Sequence, residues 1–132
     1  MTQFNTGSEY KSKGERAIAG FLTDKKIAFD YEYPLAVIDR GQVRIWYPDF
    51  KLPKYGMIIV YFGMNGNSGY NDQLAHKKRV YDGAGIEGIY LVEQSLQGHW
   101  QEMITERIEQ VQQGRLYRIQ RVRGKSRLAE KV

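Results

Sequence analysis

The chain has 132 residues, which is enough for one hydrophobic core and too few for two ordinary domains, so we expect a single domain without an internal linker. It contains no cysteine, which excludes a disulfide framework, a thiolate zinc site and a cysteine nucleophile. A formal net charge of +5 favours a polyanionic partner such as a nucleic acid, although charge is no evidence of fold.

The N-terminal residues 1–8 are polar and contain no apolar stretch of the kind found in secretory signals. No run in the chain approaches the roughly 18 apolar residues of a membrane span. We therefore expect a flexible N-terminus, no membrane partner and a cytoplasmic, intracellular protein.

A first helix is predicted over residues 13–23. Ser12-Lys13-Gly14-Glu15 has the form of a capping box, with Ser12 as the N-cap and Glu15 able to reach back to it. The expected buried stripe is formed by apolar residues at helical spacing: Ala17, Ile18, Phe21 and Leu22. Glu15 lies one turn before Ile18, so it either serves the cap alone or directs its carboxylate along the sheet.

Strands are predicted next. Residues 27–33 alternate between apolar and polar, which is typical of a half-exposed strand, and Glu32 either faces water with Asp30 or offers an oxygen ligand. Residues 35–38 form another apolar run. Asp39-Arg40-Gly41-Gln42 predicts a hairpin turn that leads into a strand over residues 43–47.

Asp49 follows Pro48 between the strand over residues 43–47 and a continuous apolar run, residues 57–62, that predicts a central strand. A carboxylate in such apolar surroundings is costly unless it is paired or holds a cation. Two interpretations follow: Asp49 is part of a site, or it only caps a turn over residues 51–56.

Residues 65–69 are rich in Gly and Asn and predict a loop, followed by a helix over residues 71–82 that ends at Gly83-Ala84-Gly85. One face of this helix carries Leu74, Lys77, Lys78 and Tyr81. Lys77, Lys78 and Arg79 form a basic cluster, which is either functional or a solvated helix face. His76 and His99 lack close partners and make poor metal-ligand candidates.

A third core strand is predicted over residues 86–92, and the intervening helix implies that it runs parallel to residues 57–62. A last helix over residues 99–113, with Met103, Ile104, Ile108 and Val111 inward, is expected to end at Gly114. Residues 115–132 are strongly basic, and they predict either a phosphate-binding arm or a disordered terminus.

The motif Tyr47-Pro48-Asp49-Phe50-Lys51-Leu52-Pro53, followed by Ile58-Ile59-Val60-Tyr61-Phe62-Gly63, resembles the core of the PD-(D/E)XK nuclease superfamily. The likeness is to small nuclease domains with a "PDF…LP…EYFG" core, some of them attached to DNA helicases, and covers roughly residues 8–92. It implies a restriction-endonuclease-like α/β fold with a mixed sheet, in the order αβββαβ, followed by a C-terminal helix and a basic tail.

The resemblance also implies a divalent metal, Mg²⁺ or Mn²⁺, bound by Asp49 and by a Glu one residue before the Tyr-Phe-Gly triplet. That second position is Val60, which offers no oxygen ligand. Glu15 and Glu32 match auxiliary acids of the family. Lys77, four residues before Tyr81, matches a catalytic lysine that has moved from the strand, where Phe62 now stands.

The resemblance thus implies a metal-dependent DNA endonuclease or an inactivated variant of one, with Asp49, Glu15, Lys77 and Val60 at the catalytic positions. The alternative is a non-catalytic nucleic-acid-binding domain of the same fold. Three origins of Val60 stay open: a deliberate inactivating substitution, natural degeneration, or a rearranged site. We also expect a possible homodimer and DNA contacts from the following basic residues: Lys51, Lys54, Lys78, Arg79, Arg118, Arg121 and Arg123.

Overall fold

The computed structural model describes residues 10–63 and 68–131 of the chain. The predicted flexible N-terminus and most of the predicted loop over residues 65–69 therefore lie outside the described residues. The elements are, in chain order, α1 (Lys13–Asp24), β1 (Asp30–Tyr31), β2 (Leu35–Asp39), β3 (Gln42–Trp46), β4 (Phe50–Leu52), β5 (Met57–Phe62), α2 (Ser68–Gly83), β6 (Glu87–Val92), a 3-10 helix (Glu93–Gln97) and α3 (Trp100–Lys131).

Helix α1 begins where the capping pattern predicts. The Glu15 backbone N–H donates to the Ser12 side-chain oxygen at 3.1 Å, which satisfies one of the free amides of the first turn. The Glu15 carboxylate does not complete the box on Ser12, because it accepts from the Lys11 backbone instead. The predicted buried stripe is wrong at one residue. Ala17 is exposed, and Ala19 is buried instead.

The main sheet has four strands in the order β1-β4-β5-β6. Strand β4 pairs antiparallel with both β1 and β5, whereas β5 and β6 are parallel, with α2 as the crossover between them. The sheet is therefore mixed and the predicted parallel pair is confirmed. The chain is a mixed α/β protein.

Strands β2 and β3 form a separate two-stranded hairpin. Arg40 and Gly41 both have positive φ, at 52° and 77°, which is the backbone of the predicted two-residue turn. The strand predicted over residues 43–47 is found as β3, which belongs to this hairpin and not to the main sheet. Pro48 interrupts the chain after β3, and the short strand β4, which the sequence suggested was part of a turn, takes the place beside β5.

The two faces of the sheet have separate cores. On one face the side chains of Phe50, Ile59, Tyr61 and Leu91 pack against α1 and α3. On the other face Ile58 and Val60 pack against Tyr81 of α2 and Val37 of the hairpin. Alternation along β5 produces this division, since successive side chains of a strand point to opposite faces.

Helix α3 does not end at Gly114, contrary to prediction, but continues to Lys131. Trp100, Ile104, Ile108 and Val111 are buried against the sheet, whereas the predicted core residue Met103 is about half exposed. No helix in the described ranges is long and apolar enough to cross a membrane, since α3 is long but highly charged.

Candidate active site

Asp49 lies at the start of β4, immediately after the buried Pro48. Phe50 pairs with Ile59 of β5, so Asp49 is level with Val60, one step farther along the ladder. The Asp49 carboxylate accepts a hydrogen bond from the Tyr61 backbone N–H at 2.6 Å, between Oδ2 and N. The Asp49 side chain, and not a backbone carbonyl, thus accepts this hydrogen bond at the end of the short β4–β5 ladder. The bond fixes the Asp49 carboxylate beside β5.

Glu15 projects from the first turn of α1 and is the buried acid of the described residues, with 6% of its surface exposed. Its Oε1 accepts from the Tyr31 hydroxyl at 2.5 Å and from the Lys11 backbone N–H at 3.2 Å. A buried carboxylate needs such donors to offset the loss of water. They fix its orientation within the core.

Asp49 and Glu15 form a carboxylate pair. Burial, together with a hydrogen bond to the Glu15 side chain and the negative charge of Glu15, raises the pKa of Asp49 from 3.8 to about 7, against the opposing effects of the Tyr61 amide and of Lys77. Two carboxyl groups can hydrogen-bond only if one keeps its proton, so the hydrogen bond from Asp49 to Glu15 forms as the pH falls below about 7. Burial and the Glu15 contact also raise the pKa of Tyr31.

Lys77 of α2 approaches the pair from the other face of the sheet. Its side chain is half-buried, its ammonium nitrogen lies 5.1 Å from the centre of the Phe62 ring, and its positive charge acts to lower the pKa of Asp49. The aromatic face stabilises the ammonium group near the site. The structure therefore brings Asp49, Glu15 and Lys77 to one end of β5.

Val60 is 3% exposed and packs with Val37, Ile58 and Tyr81. It stands level with Asp49, at the position where the family resemblance implies a metal-binding Glu, but it belongs to an apolar cluster. Its side chain therefore offers no oxygen to a cation at this point of β5.

Glu32 lies beside the pair without joining it. Its backbone N–H donates to the Asp49 carbonyl at 3.1 Å, while its carboxylate is bound by the Lys11 ammonium at 2.7 Å. Lys11 thus contacts two of the three predicted acids, Glu32 by its side chain and Glu15 by its backbone. Sequence reasoning missed Lys11 and Tyr31, and the period-2 pattern of residues 27–33 carried no signal for the role of Tyr31 as a donor.

Within the described ranges, no group of three or more His, Asp or Glu side chains is arranged to hold a metal ion. The donor set consists of the two carboxylates of Asp49 and Glu15, which are hard oxygen ligands of the type that Mg²⁺ and Mn²⁺ prefer. Burial first, and then the neighbouring Glu15, raise the pKa of Asp49, so the ionised pair is unfavourable unless a positive charge is close to it. A divalent cation supplies such a charge, with water completing its coordination.

The predicted DNA-contacting residues do not converge on this site. Lys78 and Arg79 are exposed on α2, and Lys51 stacks its ammonium 4.1 Å from the centre of the Tyr33 ring. The exposed Lys54 lies in the β4–β5 turn, where the Arg115 guanidinium donates to the neighbouring carbonyls of Tyr55 and Gly56.

The basic part of α3 lies at the opposite end of the sheet from Asp49. Asp49 contacts Tyr61 near one end of β5, while Arg115 contacts Gly56, the turn residue directly before β5, five residues from Tyr61 and so roughly 16 Å away. The other arginines that were expected to contact DNA are exposed beyond this point: Arg118, Arg121 and Arg123. Arg123 is about 12 Å farther along the helix than Arg115.

The two histidines lie elsewhere. His76 of α2 contacts the Asp39 carboxylate of the hairpin at 3.0 Å and the edge of the Trp46 ring, so it joins two elements. His99 is exposed and 3.9 Å from Glu102. In the described part of the chain, neither histidine is in contact with Asp49 or Glu15.

Comparisons with known proteins identify no relative: no family model, curated protein or solved structure matches this chain.

Proposed function

We propose that the chain is a metal-dependent DNA endonuclease domain of the PD-(D/E)XK type, and that Asp49 and Glu15 hold the cation. The observation that carries the proposal is the pairing of the partly buried Asp49 with the buried Glu15, together with the charge of Lys77 close to Asp49. A structural role needs no second buried acid beside the first, since two acids in one apolar site destabilise the fold.

Each residue of the site has a separate role in this chemistry. Bound Mg²⁺ or Mn²⁺ supplies a polarised water and neutralises charge on the phosphoryl oxygens. Asp49 gives up its proton to solvent when it becomes a ligand, while Tyr31 and Lys11 hold the Glu15 carboxylate in place. Lys77, at the same end of β5, orients the attacking water or stabilises the developing phosphorane charge.

A second candidate, a non-catalytic nucleic-acid-binding domain, is favoured by Val60. Its apolar, buried side chain leaves the cation two protein carboxylates from Asp49 and Glu15, without the third that a Glu at this position would add. Under this alternative the net charge of +5 and the exposed basic residues bind phosphates, and Asp49 and Glu15 are remnants of a site.

Cleavage of supercoiled plasmid in Mg²⁺ or Mn²⁺ separates the two candidates. The endonuclease proposal predicts nicking that falls at least 100-fold in Asp49→Asn and in Lys77→Met. Lys25→Met, at the exposed C-cap residue of α1, is the matched control and retains activity. DNA binding is measured alongside at several salt concentrations, because both candidates predict affinity that falls with salt.

Val60→Glu tests whether the missing ligand limits the reaction. We expect metal-dependent nicking to appear or to rise at least tenfold, with Val60→Gln as a control of similar size that supplies no negative charge. The variant buries a new acid, so circular dichroism with and without Mg²⁺ checks its fold. If neither the natural chain nor a folded Val60→Glu variant cuts DNA, the endonuclease proposal is wrong.

A further inference from the structure

The β2–β3 hairpin has one apolar face turned to solvent. Cross-strand pairing places Ile38 opposite Val43 and Ala36 opposite Ile45, so these four side chains share a face. Ile38, Val43 and Ile45 are 66%, 72% and 53% exposed. Tyr47, 61% exposed, continues the alternation one residue beyond β3. We call these five residues the hairpin face.

The opposite side of the hairpin is already used. Val37 is 2% exposed, and the Trp46 ring meets the Tyr81 ring of α2 at 5.4 Å between centroids. The hairpin is therefore anchored to α2 by its inner side and presents its outer side as a formed surface. A two-stranded sheet needs packing against another element to be stable, and α2 supplies that packing on the inner side, which leaves the outer side free for a partner.

The area is sufficient for a pair of chains. The exposed parts of the five side chains amount to roughly 500 Å², so two such faces in contact bury roughly 1,000 Å², which is the lower bound for a specific interface. Scattered single apolar residues are normal on a protein surface, but a contiguous patch of this size marks an interaction site.

The chemistry of the face favours a second copy as the occupant. The five residues carry no charge, so an acidic or basic partner would gain no ion pair from them, whereas an apolar face is complementary to itself across a two-fold axis. An antiparallel two-fold arrangement also directs the two hairpin tips away from each other. The exposed Arg40 of each tip then avoids its counterpart.

We propose that two copies of the chain associate by stacking their hairpin faces. The contact is of modest size, and we expect a dissociation constant on the order of 10 μM, so the dimer forms in concentrated solution. This inference is independent of DNA cleavage and does not rest on the endonuclease proposal.

Sedimentation equilibrium from about 1 to 200 μM tests the proposal. The natural chain is expected to shift from 15.4 kDa toward twice that mass. Ile45 lies at the middle of the hairpin face, between Val43 and Tyr47, so the two-fold arrangement brings the two copies of Ile45 together. Ile45→Glu and Ile45→Lys should each weaken association at least tenfold, because each places two like charges opposite each other in the dimer. Leu116→Glu, at a residue of α3 that is 56% exposed, is the matched control and should leave association unchanged.

A mixture of the two Ile45 variants gives a positive result that unfolding could not produce. The opposite charges meet near the two-fold axis and attract, so the mixture should regain the association that each variant lacks alone. A natural chain that remains monomeric at 200 μM overturns the proposal. So does a dimer that Ile45→Glu leaves intact and Leu116→Glu breaks.

Discussion

At the scale of single residues, the ionised form of Asp49 is destabilised by its surroundings, and neighbouring groups only partly offset this. The Tyr61 amide and the charge of Lys77 stabilise its ionised form, but burial and Glu15 act more strongly in the other direction. The proton that Asp49 holds near neutral pH occupies the place that the proposed function assigns to a cation.

Asp49→Asn is expected to make stability less dependent on pH. The pKa of Asp49 is about 7 in the folded chain and 3.8 ordinarily, so the folded chain binds this proton more tightly and its stability falls as the pH rises from 3.8 to 7. Asn imitates the protonated acid. At pH 8 without metal, the variant should be more stable than the natural chain by up to about 4 kcal/mol.

Urea denaturation at pH 5 and pH 8 measures this difference. The gain from Asp49→Asn should be much smaller at pH 5, where Asp49 keeps its proton, and Asp30→Asn, at an exposed acid, is the control with little effect at either pH. A gain that is equal at both pH values would show that burial and Glu15 do not raise the pKa of Asp49 in the folded chain.

At the scale of elements, the pair depends on the close approach of α1 to β5. A Cβ built on Gly14 would lie 2.3 Å from atoms of the Tyr61 ring, so only glycine lets this ring lie against the first turn of α1. Glu15 follows directly and Asp49 binds the Tyr61 amide. The same contact therefore brings both carboxylates together.

Two glycines of α1 form a matched pair of substitutions. Gly14→Ala should lower the free energy of unfolding by about 1–3 kcal/mol, because the nearly buried Tyr61 ring has little space to move. Gly20→Ala, where nothing lies within 4 Å of the added Cβ, should raise it by about 0.5–1 kcal/mol. Chemical denaturation measures both, and a stabilising Gly14→Ala would contradict the close packing.

Several elements follow directly from local sequence. The Ser12 cap, the Arg40-Gly41 turn and the apolar run of β5 each have a strong local cause, and each is found where it was predicted. The position of Glu15 beside Asp49 was one of two open alternatives, because a carboxylate at this helix position also serves a capping box. Only the packing of α1 on β5 decides between them.

Other elements depend on tertiary contacts. Strand β4 has only three residues and is defined by its pairing on both sides, which no local pattern reveals. Gly114 does not end α3. A single glycine destabilises a helix by only about 1 kcal/mol, which tertiary contacts can offset. Gln112 and Arg115, on either side of it, donate to the Tyr55 carbonyl and hold the helix against the β4–β5 turn.

At the scale of the whole molecule, the carboxylate pair and the basic end of α3 are separated along β5. Phosphate contacts from Arg118 and Arg121 would thus lie far from a scissile bond at Asp49, and a single duplex would have to run along the molecule to reach both. The proposed cleavage therefore depends on the residues at one end of the sheet, where Asp49, Glu15 and Lys77 meet.

The measurement that tests the proposed cation site at Asp49 and Glu15 most directly is a calorimetric titration of the chain with Mn²⁺ at pH 6, 7 and 8. We expect one ion per chain, an affinity that falls up to about tenfold per pH unit below pH 7 as Asp49 regains its proton, and no binding to Asp49→Asn. Equal binding to the natural chain and to Asp49→Asn, or no binding to either at pH 8, would contradict a cation site at Asp49 and Glu15.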